Sequence, residues 1–221
     1  MLVAIKDTKT TYVGVSNVDS LSDMSQADMV LDENQLMWKI AGHKGWYMAC
    51  GRFYVELDLL RYAKGLVAKE ITYQSLLSYT IPRIKSLLES RGLVKDRCWY
   101  NELYFISKDK TYVIDGYFCI GEVEEFAVSN ARADIVRGCL EYTKALPAKL
   151  RMREAFLSVE EMRGKRHFPA VVWDTATGKK EVWWSYEDAL TKAQSGPKKE
   201  AEKGEAKAVN TKAQWNEQSN G

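Results

Sequence analysis

Several common patterns are missing from this 221-residue chain, and each absence excludes a class of protein. Only two histidines are present, and the four cysteines lie far apart with no Cys-x-x-Cys pair, which argues against a zinc site. No apolar run approaches the ~18 residues of a membrane-spanning helix. The first residues also lack the charged start and apolar stretch of a secretory signal. We therefore expect a cytoplasmic, reducing location, no membrane association and no metal or other cofactor.

Charge of one sign is also missing, because 32 basic and 30 acidic side chains leave a formal net charge of only +2. Such a balance provides no electrostatic drive toward nucleic acid or an anionic membrane. The most basic segment, residues 149–167, is interrupted by Glu154, Glu160 and Glu161, so we interpret it as a solvated helix face. A nucleic-acid partner is the third-ranked hypothesis and is not expected.

What the chain does have is enough apolar residues, 46% of the total, for a sizeable core. Adjacent residues of a strand point to opposite faces, so Trp183 and Trp184 cannot both be buried on one side of a sheet. The four cysteines have apolar neighbours, which predicts reduced thiols within the core. These cysteines are Cys50, Cys98, Cys119 and Cys139.

The first half of the chain predicts two β-hairpins followed by helices. Two β-prone runs flank the polar turn "DTKT", and two more flank the glycine turn "AGHKG". Helical spacing then begins at "RFYVELDLLRYAKG", where Gly65 is a plausible stop. A second helix covers residues 72–92, with Thr72 as its N-cap, and Pro82 is expected to kink or restart it.

The second half repeats this order. The segment "NELYFISKDKTYVIDGYFCIGEV" predicts a hairpin and a further short strand, and residues 124–146 are interpreted as a helix that Pro147 ends or bends. Another helix is predicted over residues 149–164. The segment "FPAVVWDTATGKKEVWW" is typical of a hairpin, and the capping spacing of Ser185 and Asp188 predicts a terminal helix.

Strands in pairs followed by helices in pairs indicate antiparallel sheets covered by helix layers. Residues 1–194 are therefore predicted to form one α+β domain. Residues 195–221 are rich in Lys, Glu and Ala, with Trp215 as the only large apolar group. This composition predicts a flexible C-terminal tail, disordered or loosely helical, and docking of the tail onto a partner through Trp215 is the alternative.

Taken in the order in which they follow along the chain, four segments resemble the proteasome β-subunit and its bacterial counterpart HslV, which are N-terminal-nucleophile (Ntn) hydrolases. The segments are "LVAIK", "YVGVSNVDS", "QLMWKIAGHKGWYMACGRF" and "LYFISKDKTYVIDGYFCIGEVEEFAVSNARA". The likeness covers about residues 1–190 and depends on the succession of segments rather than on one diagnostic motif. It implies a four-layer αββα sandwich.

The resemblance also implies a catalytic arrangement at the start of the first strand. An N-terminal Thr attacks the substrate carbonyl, its own α-amine acts as base, and a Lys, an Asp and backbone N–H groups complete the site. The nucleophile position corresponds to Met1, and removal of the initiator methionine would expose Leu2. The Asp position falls at Ser16 and Asn17, and Asp19 matches only in a shifted register.

The remaining family positions are not matched either. The Lys position falls at Gln35 and Leu36, and Lys39 comes too late in the strand. Cys50 and Gly51 keep part of the glycine turn, whereas "GEVEE", residues 121–125, replaces the expected serine turn with acidic residues. The Asp-to-Ser-Gly-Gly segment has no counterpart in "MRGKRHFP".

The joint loss of nucleophile, Asp, Lys and serine turn predicts a catalytically inactive protein, with no catalytic, cofactor-binding or metal-binding residue to assign. We expect a structural or protein-interaction module with protein partners. Because members of the family assemble into rings, the resemblance also implies a homo-oligomer. The compact chain without a propeptide and its added tail would suit a virus-encoded protein in the host cytoplasm.

The alternative is a threonine-type N-terminal-nucleophile peptidase activated by processing. Cleavage before Thr10 or Thr11 would create an N-terminal threonine, although it would remove the first strand. His43 and His167 have no paired Ser or Cys nearby in sequence, and we interpret both as surface histidines.

Overall fold

A computed structural model describes residues 1–16, 37–50, 57–129, 133–163 and 168–194, with side chains except at 57 and 160–163. The helices in these ranges are all too short or too polar to cross a lipid bilayer. The strands are β1 (Leu2–Lys6), β2 (Thr11–Ser16), β3 (Met37–Lys39), β4 (Tyr47–Cys50), β5 (Leu103–Ile106), β6 (Thr111–Ile114), β7 (Ile120–Glu122), β8 (Phe126–Ser129), β9 (Ala170–Asp174) and β10 (Lys180–Trp183). The helices are α1 (Leu57–Tyr62), α2 (Tyr73–Ser75), α3 (Ile81–Ser90), α4 (Ala133–Tyr142), α5 (Ala148–Arg163) and α6 (Tyr186–Gln194), with a π-helical turn (Leu76–Thr80) between α2 and α3.

The strands form two five-stranded antiparallel sheets, which confirms the predicted sandwich. The first sheet has the order β10-β9-β2-β1-β8, and the second has the order β3-β4-β5-β6-β7. Helices α4, α5 and α6 share an apolar cluster with the first sheet, and side chains of α1 and α3 share one with the second sheet and the space between the sheets. The result is an α+β fold with four layers, αββα.

Strand β1 lies inside the first sheet, between β2 and β8, and both of its faces are covered. Val3 and Ile5 belong to the apolar cluster beneath the helices, whereas Leu2 and Ala4 belong to the cluster between the sheets. This alternation follows from the two-residue period of a strand.

The predicted signals at the ends of the second helix are confirmed. The N–H of Ser75 donates to the Thr72 hydroxyl over 3.1 Å, and the N–H of Thr72 donates back to the Ser75 hydroxyl over 3.0 Å. Pro82 lies in the first turn of α3, directly after the π-helical turn. The helix therefore restarts where proline removes a backbone donor.

The interpretation of residues 124–146 as one helix is wrong at its start. Phe126–Ser129 forms β8, paired with β1 so that Leu2 lies opposite Ser129 and Ile5 opposite Phe126. Pairing with a buried strand overrides the local helical spacing here. Helix α4 begins only at Ala133.

The prediction of a solvated basic face is wrong for two arginines of α5. Arg151 is 5% exposed, with its Nη2 3.0 Å from a Glu125 carboxylate oxygen and 2.9 Å from the Leu140 carbonyl oxygen. Arg153 is 7% exposed and lies over the Tyr186 ring, 3.4 Å from its centroid. Both guanidinium groups therefore bind the protein itself, because burial of a charge requires such partners.

The tryptophan and cysteine predictions have mixed outcomes. Trp183 is fully buried while Trp184 is 67% exposed, which confirms that the two rings face opposite ways. All four cysteines are free thiols, and Cys50 is buried. The prediction of a core position is wrong for Cys119, which is exposed.

A hydrogen-bonded clasp closes the end of the first sheet where β1 turns into β2. The Thr10 hydroxyl donates to Asp174 Oδ1 over 2.5 Å, and the Thr177 hydroxyl donates to Oδ2 of the same carboxylate over 2.8 Å. Burial raises the pKa of Asp174, but these bonds and those from the Thr177 and Ala176 N–H groups outweigh burial and leave this pKa below its usual value. The carboxylate therefore holds the two hairpin turns together.

Gly14 of β2 lies where α5 packs on the first sheet. A Cβ atom at this position would clash with Met152 Sδ and would lie 2.9 Å from Phe156 Cζ. We expect Gly14→Ala to lower the free energy of unfolding by about 1–3 kcal/mol, because the added methyl overpacks a filled core. Urea unfolding measures the change. The matched control is Gly121→Ala in β7, whose Cβ would have only an ordinary contact at 3.7 Å, and an equal loss in both variants would contradict the packing argument.

Asp174 should contribute to stability in a pH-dependent way. Because its folded pKa is lowered, its contribution is complete above about pH 4 and is lost as the pH falls toward the folded value. Asp174→Asn should therefore lower the free energy of unfolding near neutral pH by about 1–2 kcal/mol and make the decline below about pH 4 shallower. Unfolding curves across this pH range check both effects. The exposed Asp109→Asn variant is the control. If the free energy of unfolding of Asp174→Asn falls with decreasing pH as steeply as that of the wild type, the clasp is refuted.

Candidate functional site at the start of the first strand

Met1 continues the pairing of β1 with β2. Its main-chain nitrogen donates to the Ser16 carbonyl oxygen over 2.7 Å, and the Ser16 N–H donates to the Met1 carbonyl oxygen over 2.9 Å. Met1 is 4% exposed and Ser16 is 1% exposed. The expected nucleophile position and the end of β2 are thus adjacent, as the resemblance implies, but both are buried within the first sheet.

The side chains at this position offer no atom for acyl transfer. The Met1 side chain belongs to the apolar cluster between the first sheet and α4–α5, and Leu2 faces the core between the sheets. A thioether and an isobutyl group have no proton to give to a base, and neither forms the covalent intermediate of a hydrolase.

A polar chain missed by sequence reasoning crosses between the sheets beside Leu2. Ser129 lies opposite Leu2 across the β1–β8 pair, and its side chain is hydrogen-bonded to Tyr104 of β5. The Tyr104 hydroxyl donates to a Glu102 carboxylate oxygen over 2.6 Å. Burial, followed by the charge of Glu102, holds the pKa of Tyr104 well above its usual value, so the phenol stays protonated.

The predicted position of the serine turn is therefore corrected. Gly121 and Glu122, from the expected stretch 121–125, lie in β7 at the edge of the second sheet. The serine beside the first strand is Ser129, at the end of β8. The short apolar run Phe126–Val128 before Ser129 is compatible with a strand or a helix, so the sequence alone does not place this serine.

Cys50 ends β4 opposite Leu103 and is 1% exposed. Burial raises the pKa of this thiol well above its usual value, so it stays protonated and weakly nucleophilic. Cys50 therefore does not replace the missing N-terminal nucleophile. Gly51, the other part of the predicted glycine turn, lies outside the described residues.

Lys39 lies at the opposite end of the sandwich from Met1. It ends β3 opposite Tyr47, and its Nζ would be 3.8 Å from a Cβ atom at Gly178 in the β9–β10 turn. A strand of five residues separates the two ends by about 15 Å. At this distance the Lys39 amine does not reach the Met1 position.

Other predicted positions fall outside the described residues. They are Asn17, Asp19, Gln35, Leu36, residues 164–167 with His167, and the tail from residue 195. Within the described ranges, no three His, Cys, Asp or Glu side chains come close enough together to hold a metal ion.

Thr10 and Thr11 are buried at the same far end as Lys39. The Thr10 hydroxyl is held by Asp174, and the Thr11 N–H donates to the Thr175 hydroxyl over 3.1 Å. The Thr175 hydroxyl donates in turn to the Thr11 carbonyl oxygen over 2.9 Å. In the intact chain these groups close a turn and are not open to a substrate.

Comparisons with known proteins give no match to a family model and no match to a curated protein. Solved structures do match. BPH from Thiobacillus denitrificans, in complex with epoxomicin, is 9% identical at a TM-score of 0.61, covering 78% of this chain and 96% of that one. Anbu (ancestral β-subunit) from Yersinia bercovieri is 8% identical at a TM-score of 0.57, covering 87% and 91%. Eukaryotic HslV from Trypanosoma brucei is 9% identical at a TM-score of 0.51, covering 77% and 96%.

Structural matches at 8–9% identity show a shared fold and carry no information about the chemistry of this chain. The matches nevertheless cover nearly the whole of each solved chain. Together with the two sheets and their helix layers, they show that this chain has the proteasome-β/HslV-like fold of the Ntn hydrolases.

Proposed function

We propose that this chain is a catalytically inactive protein with a proteasome-β/HslV-like fold that serves as a structural or protein-interaction module. The observation that carries the proposal is the buried Met1, which is paired with Ser16 and packed into the helix-side core. A residue in this position stabilises the sheet and leaves no reactive atom facing a substrate.

The neighbouring polar groups support the same conclusion. A nucleophile of this class needs a hydroxyl or thiol that a base can deprotonate within reach of the substrate carbonyl. Tyr104 and Cys50 are buried with raised pKa values, and Ser129 is bonded to Tyr104. These groups join the two sheets or fill the core.

Exposed apolar side chains on both helix layers support a role in protein association. Tyr73 and Leu77 are 43% and 45% exposed on one layer, and Tyr142 is 92% exposed at the end of α4 on the other. Large exposed apolar groups mark contact surfaces more often when they recur on one face. We assign self-association through the helix layers, as the resemblance to ring-forming proteins implies.

A virus-encoded origin and a location in the host cytoplasm stay predictions from the sequence. The tail composition is their main support. Finding the coding gene within a viral genome would test the first, and imaging the tagged protein in cells would test the second.

The second candidate is a threonine peptidase activated by processing, and one contact favours it. The Thr10 hydroxyl already donates to a carboxylate, that of Asp174. A chain cut before Thr10 would keep this pair and gain a free amine beside it. The same cut would also separate β1 from the chain, although β1 lies between β2 and β8 in the first sheet.

Intact mass and peptide hydrolysis distinguish the two functions. We expect the purified full chain to show no mass that corresponds to a start at Thr10 or Thr11. We also expect wild type, Thr10→Ala and Thr11→Ala to share the same background rate on a panel of fluorogenic peptides, because no activated nucleophile is present. The exposed Thr8→Ala variant is the control for changes to this turn. A mass starting at either threonine, with hydrolysis that only the matching alanine variant abolishes, would reverse the proposal.

Light scattering tests the proposed self-association. We expect the protein to elute as a multiple of the protomer mass, and Leu77→Ser together with Tyr142→Ser to shift it toward the monomer by removing apolar contact area. Tyr117→Ser is the matched control, since Tyr117 is 68% exposed but lies in the β6–β7 turn. A wild-type protein that stays monomeric at high concentration would contradict self-association while leaving catalytic inactivity untouched.

A further inference from the structure

Two adjoining cavities lie at the end of the sandwich away from Met1. Their volumes are about 750 Å³ and about 590 Å³, and both are lined by Lys39, His43, Tyr47 and Gly178. The walls come from the β3–β4 turn, the β9–β10 turn and the segment that begins in α1. We call this combined space the lysine cleft.

The described lining of the lysine cleft is strongly cationic. Lys39, Lys44, Arg61, Lys64 and Lys180 line it, and neither cavity has an Asp or Glu side chain in its described lining. Within the described ranges, no carboxylate forms an ion pair with Lys39, Lys44 or Lys64. Several unpaired cations that share one concave surface attract anions, since the low-dielectric walls focus their field.

One opposing charge that acts on a residue of the cleft is that of Asp174. Burial, followed by this carboxylate, raises the pKa of Tyr47, so Asp174 acts on the cleft. Its oxygens, however, accept hydrogen bonds from Thr10 and Thr177 in the clasp. One engaged carboxylate does not cancel the charges of Lys39, Lys44, Lys64 and Arg61.

The cleft is preformed by contacts between its walls. His43 Nε2 lies 2.6 Å from the Ala68 carbonyl oxygen, which ties the β3–β4 turn to the segment after α1. Gly178, at φ +70°, brings the β9–β10 turn so close that a Cβ atom would lie 3.1 Å from the Tyr47 hydroxyl. Only glycine combines this backbone conformation with this approach at little cost.

The lining is also apolar and aromatic beneath the charges. Trp173 is buried, with the Lys180 amine 5.5 Å from its ring centroid, and Met48 and Leu60 lie among the same lining residues. Tyr62 is 70% exposed at this cleft, and its ring lies 5.4 Å from the Arg61 guanidinium carbon. An exposed ring beside cations provides a stacking surface for a flat group attached to an anion.

We propose that the lysine cleft binds a small polyanion that carries an aromatic body, of the class of nucleoside di- and triphosphates. The lysines and Arg61 would hold the phosphates, and the base would lie on the aromatic lining. A volume of about 750 Å³ falls within the range of small-molecule sites. The proposal does not depend on the state of the Met1 end, because the two ends are separated by the length of the strands.

Calorimetric titration of the full chain with ATP and ADP tests the proposal, with adenosine, tripolyphosphate and a Glu-rich peptide as comparison ligands. We expect ATP to bind, its affinity to fall as salt rises, and Lys39→Gln and Lys64→Gln each to weaken it about tenfold by removing a charge-assisted contact. Adenosine should bind far more weakly, because it lacks the phosphates.

Lys108→Gln is the matched control, since Lys108 is an exposed lysine in the β5–β6 turn, outside the cleft. If the affinity for ATP is unchanged in the two cleft variants, or falls equally in Lys108→Gln, the proposed binding site is wrong. Binding of tripolyphosphate as tight as that of ATP would overturn the role of the aromatic lining. Binding of the Glu-rich peptide without ATP would show an acidic-segment site instead, and no binding of any ligand would overturn the proposal entirely.

Discussion

The structure depends on burial of the first strand on both of its faces. Val3 and Ile5 face the helix layer, Leu2 and Ala4 face the second sheet, and Met1 joins the helix-side core. Burial of an apolar side chain of this size contributes about 1.5–3 kcal/mol. A strand placed in this way orders its neighbours β2 and β8, and through them the position of Ser16 and Ser129. The same burial that stabilises the sandwich leaves Met1 only 4% exposed to solvent.

The two ends of the sandwich consequently differ in chemical character. At the Met1 end, polar groups are bonded to one another between the sheets, as in the chain from Ser129 through Tyr104 to the Glu102 carboxylate. At the other end, the lining of a preformed cleft includes Lys39, Lys44 and Lys64, which form no ion pair with a carboxylate of the described residues. The cationic lining therefore lies at the end of the sandwich away from Met1. Binding at this second end is compatible with a protein that does no chemistry at the first.

Much of the fold could be predicted from the sequence, because its local signals agree with the tertiary structure. Thr72 caps a helix, Pro82 restarts it, and the turns around Gly45 and Gly178 close hairpins. The edge strand β8 could not be predicted from the sequence. Phe126–Ser129 precedes a helix, and its pairing partner β1 is more than a hundred residues away in the chain. Long-range pairing of this kind leaves little trace in local periodicity.

The candidate site was only partly predictable for the same reason. The residue type at Met1 is read directly from the sequence, and the place of Lys39 late in its strand follows from the strand pattern. The polar chain at Ser129 and the burial of Arg151 depend on which elements meet in space. Sequence spacing alone cannot show that an arginine on a helix is paired with a glutamate from the preceding strand region.

The most direct test of the inert first strand is covalent labelling of the full chain by a peptide that carries an electrophile selective for N-terminal nucleophiles. Intact mass spectrometry after prolonged incubation should show the unmodified chain, because Met1 is buried and its side chain has no nucleophilic hydroxyl or thiol. A stoichiometric mass increase that maps to the first residue of the chain, or to a newly exposed Thr10 or Thr11, would contradict this interpretation.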